Sequence, residues 1–123
     1  MSDSWYRISN EAEVPSPALL IYPDRVEENI RRLIALVGDV SKVRPHVKTH
    51  KLPQVIALKL RHGITKFKTA TIAETEMVAT AGGLDIFLAY QPVGPNAARL
   101  ATLAKRYPAI RFSTIVDNRG TVS

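Results

Sequence analysis

The 123-residue chain contains no cysteine, which removes disulfide stapling, thiolate catalysis and thiolate metal ligation together. That usage fits a reducing compartment. Nor is there an apolar run near the ~20 residues that cross a bilayer. The opening "MSDSWYRISN" lacks both a basic start leading into an apolar stretch and a small-residue cleavage site. The expectation is a soluble, cytoplasmic chain with no membrane partner. Like charges never run five or six together, so the net charge of +6, from 17 Lys and Arg against 11 Asp and Glu, is dispersed. Such a balance admits an acidic ligand. Aromatic residues make up only 7% and do not interleave with the lysines, so no stacking platform for nucleic acid is expected. Two phosphate-binding signatures are missing as well, G-x-G-x-x-G after the first predicted strand and the P-loop. The three histidines have no carboxylate at ligand spacing, so no metal site is expected within the chain.

What is present is a regular alternation. Residues 18–21, 43–47, 66–70, 85–89 and 111–116 read as strands, rich in β-branched or alternating apolar residues. Between them lie four helical patterns. In the first, Val26, Ile30, Leu33, Ile34 and Val37 share one face and Gly38 closes it. In the second, Pro53 suits a first turn and Gly63 the stop. The third has Thr71 and Glu74 at capping-box spacing and ends at Gly82-Gly83, and the fourth, "GPNAARLATLAKRYP", ends at Pro108. No hairpin signal interrupts the series. Strand–helix alternation implies parallel strands joined by right-handed crossovers, either in an open doubly wound sheet or in an eightfold barrel. The missing glycine fingerprint tilts the choice to the barrel. The expected fold class is α/β: the first five strands and four helices of a (β/α)8 TIM-type barrel, in sequential order as an open arc. Five strands do not close such a barrel and the chain stops at "NRGTVS", so the expectation is one incomplete barrel domain over 1–123 with a lead-in at 1–16.

The stretch "RPHVKTHK" at 44–51 carries the chemistry. On a strand, side chains at i, i+2 and i+4 share a face, so Arg44, His46 and Lys48 point the same way. Three potential cations on one face call for an anion nearby. Functional groups gather at the C-terminal ends of parallel strands, and Lys48 lies at that end. A neutral amine there is what reaction with an aldehyde requires, and the surrounding cations accept phosphate. A nucleophilic amine in a phosphate-friendly field describes a pyridoxal phosphate site. A solvent-exposed basic loop is the other reading of the same residue types.

The wording of the stretch resembles the cofactor-lysine signature of the D-threonine aldolase and D-serine dehydratase family, whose barrel is of the alanine racemase type (pyridoxal phosphate fold type III). The likeness extends along the chain. "SPALLIYPDRVEENI" is similar to the family's opening strand and helix, "KFKTATIAETE" to its third strand and helix, "DIFLAYQPVGP" to its fourth strand and loop, and "FSTIVDN" to its fifth strand. The resemblance implies that Lys48 carries pyridoxal 5'-phosphate, that Arg44 and His46 line the pocket beside it, and that Thr49 and His50 shape the following loop. It implies the N-terminal part of a lyase acting on D-configured β-hydroxy amino acids, cleaving them by a retro-aldol reaction to glycine and an aldehyde. The alternatives are a D-serine dehydratase-like ammonia-lyase and a non-catalytic pyridoxal phosphate-binding or structural fragment. A divalent metal in the complete enzyme would take its ligands from outside this chain. The complete enzyme is expected to be a homodimer with a small-molecule D-amino acid as substrate.

Other residues have blander expectations. Lys51 follows the motif and reads as an exposed helix-start residue beside Pro53. Lys66 and Lys68 bracket Phe67, and a role in the interior is open for one of them. Tyr90 and Gln91 end the fourth predicted strand at the catalytic rim, where Gln91 is a candidate cofactor contact as well as a turn residue before Pro92. Asp117 and Asn118 end the fifth. His62, at a helix C-terminus, reads as structural, and Glu27 and Glu28 as solvent-facing.

Overall fold

A computed structural model describes residues 4–121. The first three residues of the predicted lead-in and the last two of "NRGTVS" lie outside the described residues. Helix α1 spans Pro23–Val37, α2 Pro53–Arg61, β1 Lys66–Thr69, α3 Ile72–Thr80, β2 Asp85–Leu88, α4 Pro95–Arg106 and β3 Arg111–Thr114. The three strands pair in parallel in the order β1-β2-β3, with Lys66 opposite Asp85 and Asp85 opposite Arg111. The order is sequential, as the alternation predicts.

The helix boundaries follow the local chemistry. Proline opens α1, α2 and α4, where a missing N–H costs nothing. Gly38 ends α1 in the left-handed region at φ 78, donating its N–H to Ile34 O at 2.8 Å. Thr71 caps α3, its Oγ1 accepting the Glu74 N–H at 3.1 Å. The reciprocal arm is displaced by one residue: Glu74 Oε2 accepts from the Ala70 N–H at 2.7 Å rather than from the cap itself.

One face of the sheet is packed. Val47, Ile56, Ile64, Phe67, Val78 and Ile86 are fully buried in a cluster that joins α1, α2 and α3 to the strands. A smaller cluster of Ile72, Leu88 and Leu103 seats α4. Thr69 and Thr75 hydroxyls satisfy each other within this layer at 2.8 Å. The predicted stripe on α1 is only partly used: Ile30 is buried and Val26 and Ile34 pack against the core, whereas Leu33 and Val37 are exposed.

Two of the five predicted strands form no ladder. Residues 18–21 form no strand: no backbone hydrogen bond ties them to a strand among the described residues, and Leu19 is 72% exposed. Residues 43–47 contribute a single parallel bridge, His46 to Lys68, made by Lys68 N–H to Pro45 O at 2.9 Å and Val47 N–H to Lys68 O at 3.0 Å. The next bond toward the N-terminus needs an N–H at position 45, and Pro45 has none. Toward the C-terminus the Ala70 N–H is taken by Glu74, while Val47 O accepts from His50 and Lys51 as the chain turns. Proline on one side and a carboxylate on the other hold the second strand to one bridge. The lead-in is fastened to α1, with Trp5 edge-on to Tyr22 and the Arg25 guanidinium 3.7 Å above the indole.

Candidate functional site

The alternation of the strands sorts side chains cleanly. Val47, Phe67, Thr69, Ile86 and Leu88 lie under the helices. Arg44, His46, Lys66, Lys68, Asp85, Phe87, Arg111 and Ser113 take the opposite face by register, and no helix among the described residues covers it. Arg44 and His46 of the motif thus share this face with charged residues of the neighbouring strands, whereas Lys48 lies on the turn after Val47 and not on a strand as the motif suggested.

Its members do not all stand together. Arg44 sits at the N-terminal end of the sheet, where Nη1 and Nη2 donate to the two Asp85 carboxylate oxygens at 2.9 Å each. Longer contacts to Phe67 O at 3.4 Å and Asp85 O at 3.3 Å complete its environment. The bidentate hydrogen bonding to Arg44 holds Asp85 below the ordinary carboxylate range. Arg44 is thus engaged four residues upstream of Lys48, about 13 Å along an extended chain.

His46 lies closer to the lysine. Its Nδ1 accepts the Lys48 backbone N–H at 3.2 Å, fixing the proton of the neutral ring on Nε2. Burial pushes its pKa down and the charges of Lys48 and Lys68 push the same way, while Glu74 and a hydrogen bond to the Lys68 backbone oppose them. Lys48 itself is exposed, on the turn immediately after Val47. Neither Lys48 nor Lys68 forms an ion pair among the described residues, because Asp85 is taken by Arg44 and Glu74 by Lys51.

The turn that carries Lys48 is held from two helices. Lys51, in the left-handed region at φ 49, sends Nζ to within 3.6 Å of the buried Glu74 carboxylate on α3. His50 accepts the Leu52 N–H on Nδ1 at 3.0 Å and meets Lys59 of α2 at Nε2, 3.2 Å away. Burial, and then the neighbouring Lys59 charge, lower His50 to about 4; burial also lowers Lys59. Lys51 is as exposed as its place beside Pro53 predicts, and it points at α3. Thr49 is exposed between them.

Gln91 is half-buried in a different hollow, of about 320 Å³, over the ends of β1 and β2 with Thr71, Tyr90, Asn96 and Arg99. Lys48 does not line that hollow. Tyr90 is exposed, and Asn118 Nδ2 donates to Asp117 Oδ1 at 2.7 Å beyond β3. His62 is structural: its Nε2 lies 2.7 Å from Glu27 Oε1, so Glu27 faces α2, not solvent as the helix pattern suggested. Glu28 pairs with Arg31 and Arg32.

Three residues at the site had no role assigned from the sequence. Asp85 was the only charge in an otherwise apolar strand, which was its signal. Lys59 falls three and four residues after Ile56 and Val55, on the apolar side of α2, and that position announces an unusual lysine. Glu74 was legible as a cap but not as the buried partner of Lys51.

These features define a parallel α/β domain with helices on one face, a cationic opposite face and a lysine presented just past a strand end. The alanine racemase N-terminal domain model matches residues 21–116, and the chain belongs to that family. A D-threonine aldolase of an Arthrobacter species is 32% identical over 114 residues, covering 91% of this chain and 29% of that protein. The crystal structure of D-threonine aldolase from Filomicrobium marinum superposes with a TM-score of 0.75 at 25% identity, covering 91% of this chain and 30% of that one. The chain spans about 30% of the length of the relatives it matches.

Proposed function

We propose that the chain supplies the cofactor-bearing segment of a pyridoxal phosphate-dependent lyase that acts on D-configured β-hydroxy amino acids in the manner of D-threonine aldolase. The observation that carries this reading is the Lys48 amine: exposed, free of any carboxylate partner among the described residues, and set beside His46 and Lys68 just past a parallel strand. That donor set fits the cofactor. An amine without a competing carboxylate suits its aldehyde, and uncompensated cations suit its phosphate and phenolate oxygens. Bound there, pyridoxal phosphate supplies the electron sink that breaking the Cα–Cβ bond of the amino acid requires.

The chain's own residues would act in support. Lys48 would hold the cofactor through its side-chain amine. His46, neutral and accepting from the Lys48 N–H, holds the turn without adding a third charge. The Glu74–Lys51 and Lys59–His50 contacts fix the turn from α3 and α2. Arg44 acts from below, tying the segment to β2 through Asp85. The similarity to two D-threonine aldolases favours aldol cleavage.

Borohydride reduction in the presence of pyridoxal phosphate, followed by peptide mapping, tests the assignment. The label is expected on Lys48, lost in Lys48→Ala and retained in Lys51→Ala. A label on Lys51, or none in this peptide, overturns it. Glycine and aldehyde as products support the aldolase reading, whereas ammonia and a keto acid replace it with a dehydratase.

A further inference from the structure

Sequence alternation singles out Arg44, His46 and Lys48, yet Arg44 is spent on Asp85 at the far end of the sheet. The position beside His46 is filled from the adjacent strand. The bridge pairs His46 directly with Lys68, so the two side chains leave the same face as neighbours. Lys68 belongs to the uncovered face because its strand neighbours Phe67 and Thr69 are fully buried on the other. It makes no ion pair among the described residues, and both nearby carboxylates are already claimed. The Lys48 and Lys68 charges both act on the one half-buried imidazole of His46, and the carboxylate that also reaches it, Glu74, is already paired with Lys51. Like charges so placed repel, and an arrangement of this kind becomes favourable when an oxyanion enters.

We propose that Lys68 is a ligand-binding residue of this site: beside His46 it supplies the ammonium of a subsite for an oxyanion of the molecule held at Lys48. The inference rests on the reading of Lys48 given above and adds a residue that the motif does not contain. Lys66, on the same face but one pleat nearer the N-terminal end, is excluded from the subsite. The oxyanion belongs either to the cofactor or to the amino acid's carboxylate, and both offer the same negatively charged oxygens to an ammonium.

The test compares Lys68→Met, Lys68→Arg and Lys66→Met in the full protein. Binding of pyridoxal phosphate and of pyridoxal is measured by absorbance, and binding of D-threonine and of its amide by equilibrium titration of the loaded protein. Lys68→Met is expected to weaken one of the two anionic ligands about tenfold, the size of one charge-assisted contact, with Lys68→Arg restoring it. A selective loss for pyridoxal phosphate over pyridoxal assigns the subsite to the cofactor, and one for D-threonine over its amide assigns it to the substrate. Independently of ligand, the His46 ring resonance should titrate at higher pH in Lys68→Met than in the unsubstituted protein, since one of the charges holding it down is gone. Lys66→Met should alter none of these. Changes within about twofold for every ligand, or equal losses in Lys66→Met, overturn the inference. Failure of the underlying reading is distinguishable: it appears as an unlabelled Lys48 in the unsubstituted protein.

Discussion

At His50 both ring nitrogens face groups that ordinarily donate, the Leu52 N–H at 3.0 Å and Lys59 Nζ at 3.2 Å. A neutral imidazole carries one N–H and one lone pair. With Nδ1 accepting from the backbone, the proton of the neutral ring sits on Nε2, on the side that faces Lys59. Burial, and then the neighbouring Lys59 charge, hold the ring neutral, taking His50 from its ordinary 6.5 to about 4. The folded protein therefore resists a proton that the unfolded chain accepts readily. Because the unfolded state binds more protons between pH 6.5 and about 4, stability falls as pH is lowered through that window and levels off below it. Urea midpoints measured from pH 7 down to pH 4 are expected to fall more steeply for the unsubstituted protein than for His50→Gln. Parallel curves would show that His50 is not held neutral.

At the scale of elements, the closest approach in the fold lies where α3 turns into β2. A Cβ added at Gly83 would stand 2.5 Å from Val78 Cγ1 and 3.1 Å from Phe67 Cδ2, both fully buried. Neither neighbour can give way, since Val78 is stiff about χ1 and Phe67 lies beneath the sheet. Gly83→Ala is expected to cost about 1–3 kcal/mol by overpacking, read as a lower urea midpoint with unchanged slope. Gly82 beside it works differently. Its φ of 99 is the requirement there, and a Cβ would meet Leu60 Cδ1 at an ordinary 3.6 Å. The terminator Gly82-Gly83 thus combines one glycine chosen for conformation with one chosen for space. The same scale explains the second strand: hydrogen bonds diverted to Glu74 and to the Val47 turn are what lift Lys48 out of the sheet.

Across the whole molecule, one sheet face is sealed and the other is not. The outer edge of β3 has no partner strand among the described residues, and Tyr90, Val93, Ile115 and Val116 are exposed near the C-terminal ends of β2 and β3. Leu19 and Leu20 are uncovered beside α1, and Leu36 on it is 87% exposed. Unpaired edges and apolar surface of this kind drive association. In isolation the chain is expected to self-associate, with sedimentation mass rising with concentration. The β3 amides should exchange faster than those of β1, which lies inside the sheet between residue 46 and β2. A concentration-independent monomer with equal protection in both strands would contradict this.

Local signals in the sequence determined the four helices, their caps and the three paired strands, because each depends on neighbours a few residues away. Prolines open three helices, Thr71 meets Glu74, and Phe67 and Ile86 alternate with polar residues at the period of a strand. The parallel sequential order followed from that alternation. The motif likewise marked Lys48 and His46, whose hydrogen bond spans only two residues. What the sequence left undecided is which charges meet. Arg44 finds Asp85 across 41 residues, His46 finds Lys68 across a bridge, and Lys51 finds Glu74 on a helix it precedes. Periodicity places a side chain on a face but not at a height or beside a given partner. The tertiary structure decided those pairings through strand register and through the packing of α3 against the turn, which together determine which carboxylates are consumed and which lysines remain to receive a ligand.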